Sequence, residues 1–304
     1  MSDDIQKLNP LINAEESTRV FAALRRGATR RDILTMLAAG GMQATLAGSI
    51  ATLATTAHAE TPRKGGRITV ASASSGVNDT LDPAKQSAQI DYCRGFTFYN
   101  GLTVLDGSLA PQPQLAEEFS TKDAQTWVFK LRKGVTFHDG KPLTPADVVF
   151  SIMRHKDPAT ASKAKVLADQ IESVTATGPN EVTFRLSTPN ADLPVILGTY
   201  HFHIVKDGTT DFSAGIGTGP YKVKEFKPGV RSIAVRNDNY WKPNRPYLDE
   251  IEIVGISDAS ARVNGLLAGQ LDLVVAVSPH SIERIQASGT HSVFETKATS
   301  YTDL

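Results

Sequence analysis

One cysteine, no excess charge of either sign and no basic run set the first limits on this chain. Cys93 alone makes neither an internal disulfide nor a thiolate metal cage. A balance of 32 basic and 32 acidic residues leaves no stripe to neutralise phosphates, so no nucleic-acid partner is expected. The catalytic signals are missing as well: there is no Gly-x-Ser-x-Gly elbow, no His-Glu-x-x-His and no dinucleotide fingerprint opening a helix. GIGTGP at 215–220 has the glycines of a phosphate loop but lacks its Lys-Ser/Thr pair and leads into a strand-like run, so phosphate cradling there is rejected. No metal and no cofactor is expected, and the chain is not read as an enzyme. What remains is a chain of 304 residues, 40% hydrophobic, long enough to bury a core and to form two domains.

Residues 1–59 are an address rather than part of the fold. Thr29-Arg30-Arg31-Asp32-Ile33-Leu34 matches the twin-arginine pattern, with Ile33 where Phe is usual. An uncharged run from Ile33 to Ala57 follows and ends in Ala57-His58-Ala59, a small-x-small cleavage site. Several Gly, Thr and Ala make that run too weakly apolar for a stable membrane anchor. Arg30, Arg31, Ala57 and Ala59 are therefore read as an export signal engaging the twin-arginine translocase, with a periplasmic destination. No cysteine stands at the cleavage site to carry a lipid.

Thr126–Phe150 holds the most local information. Trp127, Phe129 and Leu131 alternate with Val128, Lys130 and Arg132, the period of a strand with one packed face. Asp139-Gly140 supplies a turn. Thr144, Pro145 and Asp147 start a helix with an N-cap, a proline where no N–H is needed and an acid at the positive end. Val148, Val149, Ile152 and Met153 give it an apolar face.

The same stretch, W-x-F-x-L-R-x-G-V-x-F-H-D-G-x-P-L-T-x-x-D-V, closely resembles the signature of the family 5 solute-binding proteins, the peptide- and nickel-binding components of ABC importers. The resemblance continues at Tyr99-Asn100-Gly101-Leu102, LAPQPQLAEE (109–118), GTGPYKVKEFKPG (217–229), NDNYW (237–241) and GQLDLV (269–274). It implies an α/β fold: a periplasmic-binding-protein-like first lobe, a mixed sheet with flanking helices, carrying an inserted α+β subdomain. The expected division is 60–104 for the first part of that lobe, 105–190 for the inserted subdomain and 191–304 for the rest of the lobe. Family members are two-lobed and about twice as long as the segment after residue 59, so the second lobe is expected to be largely absent. The implied function is capture of a peptide-like or similar small solute by hinge closure and delivery to an inner-membrane ABC permease. A chemoreceptor's solute sensor and a periplasmic hydrolase are the alternatives; His138-Asp139 would tempt the latter but is read as part of the turn.

Along the chain, 67–73 reads as the first strand and 74–83 as a loop ending in Leu81-Asp82-Pro83, where Asp82 is read as a turn residue. The resemblance places the residues just after Asp82-Pro83 near the ligand, so contacts are sought at Ser74, Gln86, Ser87 and Tyr200; Gln86 and Ser87 are equally open to a plain turn role. A helix is expected over 88–99, stopped by Asn100-Gly101, with Phe96, Phe98 and Tyr99 as packing residues. Strands are expected at 103–106 and 181–186, an exposed connection at 158–165 and a short helix near 166–171. His201 and His203 would share one face of a strand near 193–205, a pair too weak for a metal site without a carboxylate or third ligand, so Tyr200, His201 and His203 are read as structural or hinge residues, with Tyr200 also sought as a contact. A hairpin joins 221–226 to 232–236. A strand at 248–256, a helix capped by Asp258 that runs through Ala268 and stops at Gly269, and a fully buried strand at 271–277 suggest a crossover unit, and Ser278-Pro279 starts another short helix through Ile285.

Overall fold

The computed structural model describes residues 62–295. The twin-arginine pattern at Arg30 and Arg31 and the cleavage site at Ala57 and Ala59 lie outside them. Two sheets organise the described chain. One is five-stranded and mixed; it contains β1 (Arg67–Ser72), β8 (Tyr221–Lys227), β9 (Arg231–Arg236), β10 (Glu250–Gly255) and β11 (Leu273–Val274), in the order β11-β1-β10-β9-β8. β1 runs parallel to β10 and β11, whereas β9 is antiparallel to both its neighbours. The other sheet is antiparallel, in the order β4-β5-β7-β6, from β4 (Ala116–Thr121), β5 (Thr126–Leu131), β6 (Ile171–Gly178) and β7 (Glu181–Leu186). A short ribbon pairs β2 (Thr103–Leu105) with β3 (Pro111–Pro113).

Alternation along β5 works as expected: Trp127, Phe129 and Leu131 point inward, and Trp127 lies opposite Phe184 with Phe129 opposite Val182 on β7. Helix α2 (Pro145–Met153) packs Val148 and Ile152 into the same core. Its start is a variant of the expected cap: the N–H and hydroxyl of Thr144 both donate to the Asp147 carboxylate, each at 2.7 Å. The carboxylate thus holds the cap residue in place at the helix's positive end.

Helix α1 (Gln89–Phe98) packs across the five-stranded sheet. Arg67, Lys224 and Arg231 bridge Glu250 and Glu252 between strands of that sheet. The hairpin β8–β9 and the helix α5 (Ala259–Leu267) stand where local chemistry put them, with the Asp258 carboxylate accepting from the Ala261 N–H at 2.6 Å. A final helix, α6 (Pro279–Ala287), follows Ser278.

Four expectations need correction. Helix α1 is not stopped by left-handed residues at Asn100-Gly101; it ends when Tyr99 turns extended. Gly101 is needed for a different reason, because a side chain there would meet the carbonyls of Thr103 and Leu197 at 2.8 and 3.0 Å. The run 271–277 is not a fully buried strand: only Leu273–Val274 pair, at the sheet edge, with Leu273 46% exposed. The region 193–205 holds no strand but a short helix α4 (Leu193–Ile196) and a 3-10 turn (Tyr200–Phe202), so His201 and His203 share no strand face. The connection at 158–165 is not uniformly exposed, since Ala164 joins the core. β6 had no counterpart in the expectations, whereas the short helix α3 (Lys165–Asp169) did.

Candidate solute-binding surface

The surface is built where the loop after β1, the start of α1 and the Tyr200–Phe202 turn meet. Asp82 is a structural residue there. Its carboxylate accepts the Ala84 N–H at 3.1 Å, capping the 3-10 turn Pro83–Lys85, while Arg154 grips both carboxylate oxygens at 2.8 and 2.9 Å. This rigid turn delivers Gln86 and Ser87. Gln86 is fully buried with neither side-chain amide atom partnered, and its backbone carbonyl accepts from His201 Nε2 at 2.9 Å. Ser87 is exposed, and its carbonyl accepts from the Tyr92 hydroxyl at 3.2 Å. Tyr200 lies over Tyr92 with ring centroids 3.8 Å apart and planes 30° apart, and against His201 at 4.1 Å.

Ser74 stands at the head of α1. Its hydroxyl accepts the N–H of Gln89, the first helical residue, at 3.1 Å, in place of the capping side chain that Ala88 lacks. Thus Gln86, Ser87 and Tyr200 come together, and Ser74 is joined to them through α1, with Gln89 one turn before Tyr92. Ser87 and Tyr200 present side chains outward or half-outward; Gln86 contributes through its backbone position.

Sequence reasoning did not single out Tyr92, read Phe96 only as packing and weighed His201 only as half of a metal pair. Phe98 and Tyr99 are packing residues as expected, but Phe96 is 46% exposed and stands edge-on to His203 at 5.0 Å. The available signal was helical spacing: Tyr92 and Phe96 are four apart, hence neighbours on one face of α1. Below them lie neutral imidazoles. Burial pushes His203 down to about 3, and burial with the nearby Arg154 charge pushes His155 down to about 4. Burial also lowers His201, against the opposing effect of its bond to Gln86. Among the described residues no three His, Cys, Asp or Glu side chains gather as a metal site.

The motifs that carried the resemblance converge elsewhere, on a polar knot. Asn100 accepts from Trp241 Nε1 at 3.0 Å, and Thr218 donates to the same oxygen at 3.4 Å. Asn237 Nδ2 and His138 Nε2 both donate to the Gly219 carbonyl, at 3.0 and 3.1 Å. Gly219 in turn donates its N–H to the Phe98 carbonyl at 3.0 Å, closing the end of α1. The glycines of GIGTGP serve this approach: a Cβ on Gly217 or Gly219 would fall 2.1 or 2.3 Å from the Phe98 backbone. His138 is thereby a structural residue, and Asp139 is paired with Lys206 at 2.6 Å.

That knot unites segments far apart in sequence, and all of its members except Phe98 and Asn100 lie within residues 110–304, which match the model for bacterial extracellular solute-binding proteins, family 5 Middle. The chain belongs to family 5 of the extracellular solute-binding proteins. It is 33% identical over 187 residues to the oligopeptide-binding protein AppA of Bacillus subtilis (strain 168), covering 57% of this chain and 34% of AppA. Its fold is similar to that of AgaA from A. tumefacien R10 in complex with agropinic acid, with a TM-score of 0.67 and 27% identity over 73% of this chain and 46% of AgaA. It is also similar to DppA from Helicobacter pylori in complex with the peptide STSA, with a TM-score of 0.65 and 25% identity over 74% of this chain and 49% of DppA. The fold is therefore the mixed α/β architecture of periplasmic binding proteins, and the chain spans about half the length of those two structures. AppA is named as an oligopeptide-binding protein and DppA as an ABC transporter-associated periplasmic binding protein. No helix among the described residues is long and apolar enough to cross a membrane.

Proposed function

We propose that this protein is the periplasmic solute-binding component of an ABC importer, capturing a peptide-like or similar small solute by hinge closure and passing it to the inner-membrane permease. Family membership across residues 110–304 carries this reading. The surface around Tyr200 supports it: a stacked aromatic pair, an exposed serine beside it and a rigid turn behind it offer apolar area with few fixed polar groups, as solute pockets do. The solute contacts are Ser74, Ser87 and Tyr200, with Gln86 setting the turn that presents Ser87. Residues 60–104 and 191–304 form one lobe, 105–190 an inserted subdomain, and closure against a second lobe encloses the solute. Export follows the twin-arginine route, with Arg30 and Arg31 read by the translocase and cleavage after Ala59.

Deletion of the gene and uptake of labelled peptides by the native host test this reading. Lost uptake, restored by the intact gene but not by Tyr200→Ala, is expected. Intact uptake with lost chemotaxis toward the solute would assign a sensor instead, and product formation from the peptide by purified protein would assign a hydrolase.

A further inference from the structure

Trp241 is flanked by two positive charges. The Arg132 guanidinium carbon lies 4.7 Å from its ring centroid and the Lys242 ammonium 5.4 Å. Arg245 joins them through a turn in which its N–H donates to the Lys242 carbonyl at 3.4 Å, and its guanidinium stacks at 4.2 Å over Tyr247. None of these three cations forms an ion pair among the described residues. The acids nearest in sequence are already engaged: Asp238 and Asp249 both pair with Arg236, at 2.9 and 2.7 Å. Burial, then the charges of Arg245 and Arg132, make the Lys242 ammonium more acidic than an ordinary lysine, with no carboxylate offsetting them.

Like charges gathered without a counter-charge cost the folded protein energy and attract an anion. The corner is also pre-shaped. The Arg132 N–H and Nε donate to the carbonyls of Leu115 and Gln114 at 2.8 and 3.2 Å, and Trp241 Nε1 is held by Asn100, so the ring cannot swing away. A single carboxylate brings one charge and two acceptor oxygens and would leave the cluster strongly positive. A phosphate brings nearly two charges at neutral pH and three acceptor oxygens, matched to two guanidinium forks and an ammonium.

We propose that Arg132 and Lys242 beside the Trp241 indole, with Arg245 one turn on from Lys242, the latter two exposed to solvent, form a phosphate-binding site that shares no residue with the surface around Tyr200. It goes beyond the solute-binding role and does not depend on it. Free phosphate monoesters and the monoester headgroup of phosphatidic acid carry the same group, and the test separates them.

Inorganic phosphate is titrated into the full-length protein at constant ionic strength held by NaCl, following the indole N–H of Trp241 by NMR, assigned with Trp241→Phe. A saturable shift is expected, weakened roughly tenfold or more in the Lys242→Gln/Arg245→Gln double variant. Lys133→Gln, an exposed lysine next to Arg132, should leave the affinity unchanged. Flotation with phosphatidic acid vesicles against phosphatidylglycerol vesicles, whose phosphodiester carries a single charge, runs in parallel. Retention on phosphatidic acid alone that the double variant loses places the phosphate on a lipid; saturation by inorganic phosphate without retention places it on a soluble compound. The proposal is overturned if the double variant binds phosphate as the parent does, if acetate saturates the site as well as phosphate, or if neither arm shows binding beyond the NaCl control.

Discussion

Replacing Arg94 by methionine should destabilise the protein by about 3–5 kcal/mol at neutral pH and by much less in mild acid. Arg94 is the largest fully buried side chain among the described residues. Its Nη1 reaches Asp79 at 2.9 Å and Asp91 at 3.1 Å, its Nε donates to the Ser232 hydroxyl at 2.8 Å, and its guanidinium lies 5.0 Å over Phe226. One side chain thus ties the loop after β1 to α1 and to the β8–β9 hairpin. Methionine keeps most of the apolar stem but leaves two buried carboxylates without their cation, the situation for which the 3–5 kcal/mol figure holds. In the parent, burial works to raise the Asp79 pKa, yet hydrogen bonds from Ser75, Arg94 and the Gly76 N–H, with the Arg94 charge, outweigh it and hold it below 3.8. The ionised carboxylate therefore stabilises the parent above the unfolded value near 3.8, and that contribution is lost as pH falls through the lower folded value. Without Arg94 burial prevails, so the carboxylate pKa rises and protonation relieves the variant as pH falls. Urea unfolding followed by far-UV circular dichroism at pH 7 and pH 4.5 measures the difference. The histidine titrations described below are common to both proteins and cancel. A deficit equal at the two pH values, or below about 1 kcal/mol at pH 7, would refute the ionic account.

Trp127→Ala should cost about 3–4 kcal/mol, because the ring is 7% exposed and its Nε1 donates to the carbonyls of Ala124 and Asn190, both at 3.2 Å. An unchanged melting temperature would show that Trp127 is not part of the core. Acid should weaken the fold through the buried imidazoles. Their folded pKa values are depressed, so the stability they allow is complete above the unfolded value of 6.5 and falls as pH drops toward about 4 for His155. That loss is about 3 kcal/mol for His155 alone by linkage, and His155→Gln should flatten the stability–pH slope between pH 6.5 and 4; an unaltered slope would contradict it.

The family signature reports on the fold more directly than on the solute. Asn100, His138, Gly217, Gly219, Asn237 and Trp241 act in one hydrogen-bonded knot behind the C-terminal end of α1. A motif of this kind is long and recognisable because every member must meet the others. The proposed surface around Tyr200 has no such knot: it is held by the Tyr92–Tyr200 stack and by single bonds to backbone carbonyls.

From sequence alone, β5, α2, the β8–β9 hairpin and α5 were legible, since each depends on alternation, caps or turns within about ten residues. The resemblance singled out only the residues just after Asp82-Pro83, and no local pattern contained the meeting of Gln86 and Ser87 with Tyr200. Tertiary structure decided the rest. The Gln86 side chain turns inward, Ser74 caps a helix that begins fifteen residues later, Tyr200 sits on a 3-10 turn, and Phe96 stays open while Phe98 and Tyr99 are covered. Each of these depends on which distant segment comes to lie against the residue. Hydrogen-bond partners and burial are set by that meeting, and short-range periodicity carries no record of it.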